Sequence, residues 1–193
     1  MSMEDPRSLA IAFDLANGLS PDRESTERHL SGMKGMYADA AAFEAMLADD
    51  PLVYEFYEMG LPERDGDIAF GTSITYPGTI GDEYFMTKGH FHTILDAAEI
   101  YYCLSGLGMM LMENPEGEWE LRELSPGKAV YVPGRYAHRS INTGSDGPLV
   151  TFFAFRADAG HDYGRIEAKG FRKLVVERAG APTVIDNPKW QAR

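Results

Sequence analysis

Apolar and polar positions change their period near residue 50. Over residues 37–47 the apolar positions Tyr37, Ala41, Phe43, Met46 and Leu47 recur near helical spacing, with Asp39 in the first turn. That pattern predicts a short amphipathic helix, ended by Asp49-Asp50-Pro51. From Leu52 onward the pattern is that of strands. Strand-like runs occupy 53–57, 68–76, 84–92, 99–104, 109–113, 119–123, 129–133, 149–155 and 173–176. Turn formers punctuate them: Pro77-Gly78, Gly81-Asp82, Asn114-Pro115-Glu116-Gly117 and Pro126-Gly127. Ser105-Gly106-Leu107-Gly108 reads as a hairpin turn, with 109–113 continuing the pairing. Short strands separated by regular turns predict a sandwich or closed barrel.

The first 35 residues are polar and rich in turn formers, with one strand-like piece at 9–13. No composition break divides the β-region. The expected organisation is one domain: an N-terminal extension with a short helix over 1–50, a barrel over 51–180 and a C-terminal tail over 181–193.

Of the 193 residues, 44% are hydrophobic, enough for a real core. The net charge of -12, with no Lys/Arg run, argues against a nucleic-acid binder, which needs a basic surface to neutralise phosphates. The single cysteine, Cys103, sits in an apolar run and reads as a small buried hydrophobe. One cysteine allows no intrachain disulfide, which fits a reducing compartment. The N-terminus lacks a basic segment followed by an apolar one, and no stretch reaches membrane-span length. The expectation is a cytoplasmic protein without a membrane partner.

The chemistry concentrates in histidines. His90 and His92 are two apart, so on a strand both imidazoles share one face while Phe91 turns away. Glu99 opens the next strand, and His138 lies downstream. Neutral imidazoles with one carboxylate suit Fe, Mn, Ni, Co or Zn as a divalent ion. Four protein ligands leave an octahedral ion two open positions. A lone His-x-His pair says little. The joint spacing says more: six residues from His92 to Glu99, six on to Gly106, then Gly127, Pro133, His138 and Asn142 separated by five, four and three residues.

That spacing resembles the two motifs of the cupin superfamily, mainly β proteins with a double-stranded β-helix or jelly-roll barrel. There are two departures. The gap before Glu99 is longer than usual, and Arg135 stands where glycine is common. Several segments together resemble the cupin-type glucose-6-phosphate isomerases. They are Thr87-Lys88-Gly89-His90-Phe91-His92, Ala98-Glu99-Ile100-Tyr101, Val130-Tyr131-Val132-Pro133, Ala137-His138-Arg139, Asp158-Ala159-Gly160-His161-Asp162-Tyr163-Gly164 and Val184-Ile185-Asp186-Asn187-Pro188-Lys189-Trp190. The resemblance runs from about Leu52 to Trp190.

It implies interconversion of glucose 6-phosphate and fructose 6-phosphate, with one divalent metal per chain, Fe2+ foremost, on His90, His92, Glu99 and His138. Two routes are open: a base takes the C2 proton and forms a cis-enediol, or a hydride shifts between C1 and C2. Glu99 is a permanent ligand in one account and a base in the other. Tyr101, two residues beyond Glu99, shares its inward face and either bonds the sugar or fills the barrel. The glycine-bracketed segment 158–164 reads as a loop. By resemblance its His161 and Tyr163 contact substrate, and the phosphate lies near Thr87 and Gly89. Lys88 adds charge there, and Ser73 is a further candidate contact. Family members often carry Tyr where Phe155 stands, so one substrate contact is missing here. Barrels of this type commonly pair, so a homodimer is expected. The rival readings are an iron-dependent cupin oxygenase and a non-catalytic sugar-binding cupin; oxygen consumption, or binding without turnover, separates them from an isomerase.

Overall fold

The computed structural model describes residues 9–59 and 66–190. Residues 1–8 of the N-terminal extension and 191–193 of the tail lie outside the described residues. The expected mainly-β cupin architecture is what forms. A six-stranded antiparallel sheet runs in the order β1 (Thr26–His29), β2 (Leu52–Met59), β3 (Ile68–Thr75), β12 (Leu149–Arg156), β7 (Glu99–Ser105) and β10 (Ala129–Val132). A three-stranded sheet has the order β11 (Ala137–Asn142), β8 (Gly108–Glu113) and β9 (Trp119–Leu124). A third sheet joins β15 (Ala181–Asp186), β14 (Lys173–Arg178), β5 (Glu83–Tyr84) and β4 (Thr79–Ile80), and β13 (His161–Asp162) pairs with β6 (Phe91–His92). The hydrogen bonding therefore divides into separate sheets and does not close into one ring.

Period-two patterning places the core. Along β7, Glu99, Tyr101 and Cys103 are buried while Ile100 and Tyr102 are exposed. Met110 and Met112 of β8 join Tyr101 and Cys103 in one core cluster, while Leu111 between them packs into another; each is almost wholly buried, contributing roughly 1.5–3 kcal/mol relative to exposure. The outer face of the large sheet is partly covered by the N-terminal segment. Ile11 and Phe13 pack against Tyr57, Met59, Ile74 and Val150, and Thr72 donates its hydroxyl to the Gly18 carbonyl at 2.8 Å.

The predicted helix is α1 (Ala40–Met46), capped by Asp39, whose carboxylate accepts the Ala42 N–H at 2.9 Å. The extension is not only helical, because β1 adds an edge strand to the main sheet. Residues 105–108 turn out to be a crossing between sheets: β7 pairs with β12 and β10, whereas β8 pairs with β11 and β9. Gly106 makes that corner, with φ +82 and space for a Cβ denied by the Pro148 carbonyl at 2.3 Å. The turn at 114–117 does close a hairpin, with Glu113 opposite Trp119. Beyond the expected loop, 164–169 forms a short helix, α2 (Gly164–Lys169). No helix among the described residues is long and apolar enough to cross a membrane.

Candidate metal centre and substrate pocket

His90, His92, Glu99 and His138 each offer one ligand-type atom, and these atoms lie within 4.8 Å of one another. Glu99 opens β7, His92 closes β6 and His138 is the second residue of β11. His90 is tied to His138 by reciprocal backbone hydrogen bonds, His90 N–H to His138 O at 3.3 Å and His138 N–H to His90 O at 3.1 Å.

A bulge aims His90. Phe85 and Thr87 bond to Asn142 and Ser140, but it is His90, not Gly89, that bridges to His138. One extra residue is therefore inserted in the 87–90 strand relative to its partner. Gly89 absorbs it at φ +74, where a Cβ would stand 2.7 Å from the Phe171 ring and 2.8 Å from the His138 carbonyl. The consequence is a change of parity. Thr87 and His90, three apart, both line the same pocket.

Second contacts set the imidazoles. His92 Nδ1 lies 2.9 Å from the Ala97 carbonyl and His138 Nδ1 3.4 Å from the Tyr136 carbonyl. A carbonyl only accepts, so each ring carries its proton on Nδ1 and turns the Nε2 lone pair inward. Those Nε2 atoms stand 3.1 Å and 2.9 Å from Glu99 Oε2. Without an ion, His92 Nε2 hydrogen-bonds to Glu99, whereas Nε2 of His90 and of His138 is buried without a hydrogen-bond partner. Such a convergence of imidazole nitrogens on a carboxylate fits a divalent cation.

The electrostatics follow from burial and neighbours. Burial, then the adjacent His138, holds His90 well below the ordinary imidazole value. Burial also lowers His161. Burial pulls His92 down as well, but the Glu99 carboxylate and the Ala97 carbonyl outweigh it and raise the net value. Burial alone would raise Glu99, yet His138 and His92 overcome it and hold the carboxyl well below the usual range. Burial, with Glu99 beside it, pushes Tyr101 well above 10, and burial takes Tyr163 to about 12.

The cluster borders a pocket that opens to solvent. Ser73, Thr87, Lys88, Gly89, Tyr101, His161 and Tyr163 line it together with His90, Glu99 and His138. The sequence-predicted residues therefore come together, with His92 behind the wall. Details refine them. The Lys88 ammonium is held 2.7 Å from Glu167, and the Thr87 hydroxyl oxygen accepts the Ser140 N–H at 3.1 Å. His161 Nε2 lies 4.0 Å from Glu58, and its ring stacks on Tyr163 at 5.9 Å. Phe155 stacks on His92 at 5.5 Å.

Both departures from the cupin pattern have a structural account. The longer gap forms a turn, with the Ala97 N–H bonded to the Ile94 carbonyl, that returns the Ala97 carbonyl to His92. Arg135 keeps the left-handed backbone usual for glycine, at φ 72.

Five lining residues were not anticipated: Tyr54, Phe56, Glu58, Ser140 and Phe153. Phe153 was findable, since it lies two before Phe155 on one strand face, whereas Ser140 was not, because its strand shows no alternation. The three on β2 carry no local signal.

The chain matches the model of the family described as glucose-6-phosphate isomerase over residues 27–191. A glucose-6-phosphate isomerase of Thermococcus gammatolerans is 47% identical over 188 residues, covering 97% of this chain and 99% of the relative. One from Thermococcus litoralis is 46% identical, covering 99% and 100%. A bacterial one from Sinorhizobium medicae is 41% identical, covering 95% and 88%.

Proposed function

We propose, from the premise that this chain belongs to the glucose-6-phosphate isomerase family, that His90, His92, Glu99 and His138 form its active centre and hold one divalent metal ion per chain. The chain is an isomerase that interconverts glucose 6-phosphate and fructose 6-phosphate. The observation that carries the site assignment is the convergence of four buried ligand atoms within 4.8 Å, two of them imidazole Nε2 atoms without a hydrogen-bond partner. Fe2+ is the proposed ion; Mn2+, Ni2+, Co2+ and Zn2+ are accepted by the same donors. When bound, such an ion supplies Lewis acidity to the sugar oxygens at C1 and C2.

The chain's own residues do the rest. Thr87, the Gly89 N–H and Ser73 are neutral groups for the phosphate oxygens, at the end of the pocket near Ser140. Tyr101, with its hydroxyl next to Glu99, orients the sugar. Conversion of aldose to ketose moves hydrogen from C2 to C1 and a proton from O2 to O1. Glu99, held low by its imidazole neighbours, is a weak proton acceptor while it contacts them. While it holds that contact Glu99 is a positioning residue and hydride shifts between the carbons; released from it, Glu99 is the base of the cis-enediol route. His161, kept neutral by burial, and the Tyr101 hydroxyl are placed to pass the oxygen-bound proton.

We further propose a cytoplasmic homodimer serving glycolysis and gluconeogenesis, with mass in solution as its check. The test of the active centre is direct. Purified protein is analysed for bound metal and assayed for fructose 6-phosphate conversion with a coupled dehydrogenase, before and after chelation. Metal bound in equimolar amount, with activity lost on chelation and restored on reloading, is expected. No turnover by metal-loaded protein would sink the isomerase reading.

A further inference from the structure

Apart from the divalent ion proposed above, the pocket meets a dianion with little positive charge. Its lining holds two carboxylates, Glu58 and Glu99, and one lysine, Lys88, whose ammonium is already paired with Glu167 at 2.7 Å. The chain as a whole carries a net charge of -12. Beyond that ion, the protein's own side-chain charge therefore works against a sugar phosphate unless an unpaired cation faces it.

β1 supplies one. Arg28 is directly opposite Tyr54 in the β1–β2 ladder, and Tyr54 is opposite Thr75 of β3. Directly opposed residues of antiparallel strands project to one face, and that face is the pocket's, because Tyr54, Phe56 and Glu58 line it at alternate positions. The row leads to the hydroxyl-rich end of the pocket: Thr75 Oγ1 lies 3.3 Å from Ser140 Oγ, and Ser140 donates its N–H to Thr87. The Arg28 side chain makes no hydrogen bond or ion pair among the described residues, and its Nε is buried without a partner. Its charge reaches the pocket rim, acting on Tyr163. The 3-10 turn Leu30–Met33 folds over its stem, where a Cβ on Gly32 would come within 2.8 Å of Arg28 Cδ. The side chain is thus held in place while its guanidinium lacks a partner among the described residues.

We propose that Arg28 is the cation that meets the substrate's phosphate, and that it sets the preference for phosphorylated over free hexose. The proposal rests on the isomerase reading above. A guanidinium–phosphate contact is charge-assisted and bidentate in geometry, which a neutral pocket of hydroxyls cannot supply.

The test uses full-length, metal-loaded protein and the variants Arg28→Gln and Arg28→Lys. KM and kcat for fructose 6-phosphate are measured over a range of ionic strength, together with inhibition by inorganic phosphate, bound metal and melting temperature. Arg28→Gln is expected to raise KM and weaken phosphate inhibition by about ten- to hundredfold, with kcat changed far less and metal retained. Arg28→Lys should recover part of the loss, and the salt dependence of KM should flatten in Arg28→Gln. Unchanged KM and phosphate inhibition in Arg28→Gln would overturn the assignment, as would a loss confined to kcat. An inactive wild type would instead overturn the isomerase reading, so the two failures are distinguishable.

Discussion

Two glutamates are buried to the same degree and meet opposite fates. Glu83 is 2% exposed and Glu99 3%. Glu83 accepts one hydrogen bond, from the Ala38 N–H at 2.9 Å, while its Oε1 is buried without a partner. Burial dominates there and pushes its carboxyl up to about 7, against the pull of Arg139 and Lys189. Glu99 suffers the same burial but faces the Nε2 atoms of His92 and His138, and its carboxyl is driven down. Burial alone does not make a site; what decides is whether neighbouring groups stabilise the charged form. Glu83 lies instead within the influence of Arg139 and Lys189. Arg139, also buried, donates to the Lys88 carbonyl at 2.6 Å and stacks on Phe171 at 4.2 Å. The Glu99 cluster is held by positive charge, on its imidazoles or on the divalent ion they would hold.

The widest way to break that contrast is to remove an imidazole. His90→Ala or His138→Ala should eliminate bound metal and lower kcat/KM on the order of 10³-fold or more, while the protein stays folded. Elemental analysis and the coupled assay read both. Retained metal in both variants would mean that Glu99 is another buried acid of the Glu83 kind.

The second test titrates Glu83. A carboxyl at about 7 in the folded chain and 4.5 unfolded means that the unfolded chain releases its proton first as pH rises. The stability this group contributes is whole below about pH 4.5, drains away as pH climbs, and is gone above about 7. The span corresponds to about 3 kcal/mol. In Glu83→Gln that dependence vanishes. Urea unfolding of wild type and variant at about pH 5 and about pH 8 measures it, and parallel pH profiles would refute it.

A third change falls on the segment that joins the two carboxylates. Gly89→Ala places a Cβ against Phe171 and the His138 carbonyl and strains the left-handed backbone. It should cost about 1–3 kcal/mol in unfolding free energy. KM should rise as well, because the bulge carries both His90 and the Gly89 N–H. A variant with lowered melting temperature and unaltered kinetics would show that the bulge matters to the fold alone.

The sequence made one of these glutamates visible and hid the other. His90-x-His92, Glu99 and His138 were legible because ligand chemistry restricts residue types at fixed spacing. Glu83 sits in Gly81-Asp82-Glu83-Tyr84, which reads as an exposed turn, and its burial comes from Ala38 and Arg139, both distant in sequence. Most strands were legible from alternation. β11 was not read as a strand, since Ala137–Asn142 is buried on both faces and so shows no alternation. β1 and β15 are exposed edge strands without an apolar face. The crossing at 105–108 looked like a hairpin because the same glycines serve a tight turn and a change of sheet. Arg28 carried no local signal, since its meaning comes only from its register with Tyr54.

The smallest expected effect concerns Phe155, the residue opposite Glu99 in the β12–β7 ladder. Its ring is 5% exposed, stacked on His92 at 5.5 Å and edge-on to His161 at 5.3 Å. It gives the Glu99 side of the pocket an apolar wall that neither donates nor accepts. Phe155→Tyr adds one hydroxyl to a ring that already lines the pocket, so packing behind the ring is preserved. A hydroxyl bonded to substrate contributes about 0.5–1.5 kcal/mol, and the water it displaces offsets part of that. KM should therefore fall by about threefold, with kcat and bound metal unchanged. Michaelis curves on wild type and variant settle the sign. A rise in KM would show that the stack on His92 leaves the hydroxyl no room, and that the apolar wall is part of how the Glu99 cluster excludes competing donors.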